Sequence, residues 1–77
     1  MIEMAKLIVY WDCWEHAWVT AIVDSNSYNI WGYLREIDYY LPNRVDEEDV
    51  FTFRDAYNWE VEEYGYGIIN IGSKNFL

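Results

Sequence analysis

Cys13 and His16 are the residues best suited to do chemistry in this chain, and each type occurs once. Their spacing of three is that of half a metal site. A structural zinc needs four ligands, mostly Cys and His, and no second pair exists to supply them. A nucleophilic Cys13 would need a base held by a third group. His16 could be that base, but such groups usually meet through the fold rather than through short spacing. The simpler assignment is a half-buried thiol packed under Trp11 or Trp14, with a histidine in a turn. Gly65, Gly67 and Gly72 lack the spacing and the following Lys of a phosphate loop. Asp46-Glu47-Glu48-Asp49 lacks the alternating ligands and central glycine of a calcium loop. Carboxylates adjoin one another in many places, so they specify no acid–base pair. The sequence predicts no enzyme, no metal and no cofactor.

What remains is display of charge and aromatic surface. Residues 36–63 carry ten acids against Arg44 and Arg54, a local charge of −8 within a total of −9. Five Trp, eight Tyr and three Phe in 77 residues exceed what so small a core can hide. Tyr and Trp supply rigid contact area and are enriched at interfaces. Trp11, Trp18 and Trp31 are expected in or near the core, and Tyr28, Tyr39 and Trp59 outside it. Trp59 among Asp55, Glu62 and Glu63 has the composition of a binding hot spot. The candidate partner-binding residues are Asp46, Glu47, Glu48, Asp49, Asp55, Trp59, Glu62, Glu63, Tyr28 and Tyr39. The competing explanations are a solvated helix surface with one chance tryptophan, and acidity that serves solubility.

These residues need elements to hold them. Ala5–Trp11 and Ala17–Val23 are β-branched and aromatic enough for strands, and the short Asp12–His16 connection pairs them antiparallel. Both faces of the second strand are apolar, so this hairpin is either covered twice or meets a partner. The cap-rich Asp24–Asn29 segment predicts a helix over about 28–41, with Ile30, Leu34, Ile37 and Leu41 as its buried stripe and Pro42 as its stop. Gly32 should weaken that helix by about 1 kcal/mol relative to Ala. Tyr28, Arg35 and Tyr39 project from its far side. A loop follows, with a short strand at 50–51. Thr52 and Asp55 suggest a capping box opening a second helix over 53–64, ended by Gly65. Its inward face would hold Phe53, Ala56, Tyr57, Val61 and Tyr64. The rival reading is a strand at Val50–Arg54 followed by a second strand from Trp59. Residues 66–71 close the sheet. The expected fold is α+β: a single domain spanning 1–77, with a small antiparallel sheet carrying both helices on one face.

No apolar run is long enough to span a membrane. The N-terminus lacks the pattern of a signal peptide, and one cysteine fits a reducing compartment, so the expected location is cytoplasmic. Five Lys and Arg disfavour direct nucleic-acid binding, whereas a basic partner is favoured. Through Asp46-Glu47-Glu48-Asp49 and Glu60-Val61-Glu62-Glu63, the chain resembles in general character the small acidic phage-type inhibitors of restriction and CRISPR nucleases. That resemblance implies a protein of the host-cell cytoplasm that blocks a basic nucleic-acid-binding groove by mimicking its ligand. Two other readings stay open. One is a self-associating or adaptor module using the apolar hairpin face, with a homodimer as one form. The other is an antitoxin or immunity partner of a basic toxin.

Overall fold

Four strands in the order β3-β1-β2-β4, all pairings antiparallel, form the sheet among the described residues. The computed structural model describes residues 5–25, 27 and 29–72. Strand β1 (Ala5–Asp12) and β2 (Ala17–Asp24) are the expected hairpin, and they occupy the centre. Trp11 lies opposite Trp18, and the two rings meet edge-to-face at 5.6 Å. The turn closes on His16, whose φ of 54° is left-handed, while the Asp12 carboxylate accepts the Trp14 N–H at 2.9 Å.

Helix α1 (Ile30–Ile37) is capped by Asn29, whose side chain accepts the Gly32 N–H at 2.8 Å. It is shorter than the 28–41 expectation. Asp38 adopts an extended backbone, and its carboxylate takes the Tyr40 N–H at 3.0 Å. This local turn ends the helix before Pro42, which instead sits in a 3₁₀ turn over Leu41–Asn43. Leu41 still completes the buried stripe from that turn. Gly32 has a packing reason: a Cβ there would collide with the Ser27 side chain.

The larger correction falls on 50–55. Strand β3 (Val50–Asp55) replaces both the expected two-residue strand and the first turn of the expected helix. The Thr52–Asp55 box is local, whereas the ladder to β1 satisfies a row of backbone groups on the open edge of the hairpin. A bulge opposite Val9 and Tyr10 turns Phe51, and its ring meets Trp18 edge-to-face at 5.8 Å. Helix α2 (Asn58–Tyr64) begins only after Tyr57 and stops at Gly65, φ 74°, as expected. A strand from Trp59 is therefore absent. Strand β4 (Gly67–Ile71) closes the sheet beside β2.

The helices lie on opposite faces of the sheet, not on one. Ile8, Tyr10, Val19 and Ala21 pack with Tyr33 and Leu34 of α1, and with Leu41 and Val45. Leu7, Val9 and Ile22, on the other side of the same strands, pack with Ala56 and with Val61 of α2. The apolar hairpin is thus covered on both faces. Trp31, expected near the core, is exposed. No helix among the described residues is long and apolar enough to cross a membrane.

Candidate partner-binding surface

Glu60 organises the acidic helix, and it does so from inside. Its side chain is 2% exposed and takes two hydrogen bonds at 2.9 Å from the Arg54 guanidinium on β3. It also accepts the Tyr57 backbone N–H at 2.8 Å, the glutamate half of a capping box. The Arg54 hydrogen bonds hold the Glu60 carboxyl below its ordinary range and raise the guanidinium in turn. The Arg54 guanidinium carbon lies 4.7 Å from the centre of the Tyr57 ring. Tyr57 in turn stacks on Trp59 at 6.5 Å with 12° between planes, and Tyr64 tilts against Trp59 at 6.3 Å. A buried ion pair therefore supports an aromatic row, of which Tyr57 and Trp59 are each 57% exposed.

Trp59, Glu62 and Glu63 are exposed together on α2, as the helical phase required. Asp55 is exposed at the end of β3 but pairs with Lys6, so it is neither a helix cap nor a free charge. Tyr57 and Tyr64, assigned to the inward face, are exposed instead. The late start of α2 leaves Tyr57 at the cap, outside the helical phase. The signal for this was Glu60 three residues after Tyr57, a box competing with the one at Thr52.

Asp46, Glu47 and Glu48 are exposed around a 3₁₀ turn over Glu47–Asp49, and Asp49 is half-buried. Glu47 borders a depression with Ile30, Trp31 and Phe53, which places this turn on the α1 side of the sheet. The two acidic groups are thus not one surface. They lie on opposite faces of the sheet, the turn on the α1 side and α2 on the other. Tyr39 is exposed edge-on to Tyr40 at 5.2 Å, in the turn after α1 rather than on the helix. Tyr28 lies outside the described residues.

Most of the described cations are held in ion pairs. Lys6 pairs with Asp55, Arg54 with Glu60, and Arg44 with Asp38 at 3.4 Å and Asp12 at 3.7 Å. Arg44 also sits 4.7 Å from the Trp14 ring centre. Among the described residues only Arg35 is an exposed cation. Asp46, Glu47, Glu48, Glu62 and Glu63 form no ion pair there. Cys13 is exposed, not packed under a tryptophan, and its thiol donates to the Arg44 carbonyl at 3.0 Å. Comparison with family models, curated proteins and solved structures finds no significant match to this chain.

Proposed function

We propose that this chain is a small acidic inhibitor that occupies the basic nucleic-acid-binding surface of a defence nuclease, of the kind that restriction or CRISPR systems use, in the host-cell cytoplasm. The observation that carries this reading is the sorting of charge. Three of the four described cations are spent on internal pairs, while the Asp46–Glu48 turn and the Glu62–Glu63 face are exposed and form no ion pair among the described residues. Such a surface attracts a basic cleft and repels nucleic acid. The two acidic groups divide the work by position. The turn lies on the other face from the aromatic row and contributes attraction at a distance. The α2 face adds contact area that charge alone does not provide.

The test is capture from a lysate of bacteria carrying restriction and CRISPR systems, at low salt, with the whole chain immobilised. The expected result is a nuclease or its complex, released both by a salt gradient and by duplex DNA or guide RNA. Captured proteins that nucleic acid does not release would refute mimicry.

One observation favours a second reading, self-association. β4 is an uncharged edge strand on which Ile68 and Ile71 are 53% and 54% exposed. Ile68 lines a depression of about 550 Å³ with Val23, Ile37 and Tyr66, bordered by Asp24 and Glu36. Uncharged edges of this kind invite pairing. A native mass of twice the chain in light scattering would support it. A monomer at all concentrations would remove it.

A further inference from the structure

We infer that the Trp59 face of α2 is a receptor site for an arginine side chain of the partner protein. The inference rests on the basic-partner reading above and names the group that this part of the surface takes.

The chain builds the same arrangement twice for its own arginines. Arg54 lies over Tyr57 at 4.7 Å while forking to the Glu60 carboxylate at 2.9 Å. Arg44 lies over Trp14 at 4.7 Å while reaching Asp38 at 3.4 Å. Each site pairs an aromatic face with a carboxylate within reach of one planar cation. Trp59 offers a third such ring, with Glu62 and Glu63 exposed beside it on α2. Residues three and four along a helix are surface neighbours, and they fall about 60° and 40° to either side of Trp59.

The site is already organised. Tyr57 and Tyr64 hold the Trp59 ring from two directions, and the buried Arg54–Glu60 fork holds Tyr57. Little side-chain freedom is then lost on binding. Charge selects the ligand. The carboxylates repel a phosphate or a nucleotide, and an apolar partner would strip them of water without replacing the hydrogen bonds. Lysine is a point charge that cannot stack flat and fork together, whereas guanidinium does both. Arginine also abounds on surfaces that bind phosphates, so the reading supplies the ligand chemistry.

The test is a nuclear magnetic resonance titration of the whole chain with an end-blocked Gly-Gly-Arg-Gly-Gly peptide. Lysine and citrulline counterparts follow at the same concentrations. Trp59→Phe assigns the Trp59 indole N–H signal. The expected result is a saturable shift of that signal and of the Glu62 and Glu63 amides. The lysine peptide should bind at least threefold more weakly, and citrulline should give no saturable shift. Trp59→Ala and the double variant Glu62→Gln/Glu63→Gln should each weaken the response at least fivefold, with amide spectra showing the fold intact. Equal response to lysine and arginine would overturn the proposal, as would an unmoved Trp59 or full response in both variants. The two readings fail separately. Partner capture kept by Trp59→Ala but lost on reversing the Asp46–Asp49 charges would refute this site alone. A peptide response at Trp59 with no basic protein captured would uphold the site and refute the inhibitor.

Discussion

Removing the Glu60 carboxylate should cost about 3 kcal/mol. Breaking a buried ion pair by deleting one partner costs about 3–5 kcal/mol, because the remaining charge is left uncompensated. Arg54 is 24% exposed and can recover some water, which lowers that figure to about 2 kcal/mol. The Tyr57 N–H loses its acceptor as well, which adds about 1 kcal/mol. A 77-residue domain has roughly 4–12 kcal/mol in total, so Glu60→Ala should remain measurable. Glu60→Gln keeps an acceptor for Tyr57 and should lose about half as much. Arg54→Met/Glu60→Leu removes both charges and should fall within about 1 kcal/mol of the parent chain. The pair is also pH-dependent. Folding lowers the Glu60 pKa from its ordinary 4.5, so above that value the contribution is complete. It is lost as pH falls through the lower folded value, where the native carboxylate takes up its proton. Glu60→Gln should lack this part of the acid destabilisation. The assay is urea denaturation at pH 7 and across the acid range, read by tryptophan fluorescence. A Glu60→Ala loss below about 1 kcal/mol would refute the reasoning, as would a double variant no better than the single one.

Leu34→Ala should cost about 2–5 kcal/mol in a denaturant melt, because Leu34 is fully buried between α1 and the sheet. A loss below about 1 kcal/mol would place the α1 stripe wrongly. Asp55→Asn should change stability by less than about 0.5 kcal/mol, since its pair with Lys6 is a surface one, and a larger loss would assign the pair a structural role. Cys13→Ser should leave partner binding unchanged. His16→Gly should do the same and stabilise by about 0.5–1 kcal/mol, because glycine tolerates the left-handed backbone at the hairpin turn. Binding lost in a folded variant of either residue would restore them as functional groups.

The elements legible in the sequence are those fixed by periodicity over many residues. The strands expected over 5–11 and 17–23 each run one residue longer, the Ile30–Leu34–Ile37 stripe lies on α1 with Leu41 completing it from the following turn, and Gly65 ends α2. The misreading at 52–55 arose because a four-residue capping signal competed with a strand signal of similar length. The open edge of β1 decided between them, and that edge is a tertiary fact. The same start point hid Tyr57 as an exposed residue and Glu60 as a buried one. The exposure of Trp59, Glu62 and Glu63 was legible because their phase within α2 does not depend on where the helix begins. The separation of the Asp46–Asp49 turn from α2 could not be read from the chain, since it follows from the helices lying on opposite faces.

The most direct measurement is the association rate between this chain and a captured nuclease at two salt concentrations. It is made with the parent chain, with Asp46, Glu47, Glu48 and Asp49 all reversed to Lys, and with Trp59→Ala. Charge reversal should slow association and flatten its salt dependence, because the turn attracts the basic surface from a distance. Trp59→Ala should leave association nearly unchanged and speed dissociation by an amount equivalent to about 2 kcal/mol or more. Salt-independent association, with full affinity retained in the fourfold reversal, would contradict the acidic-inhibitor account.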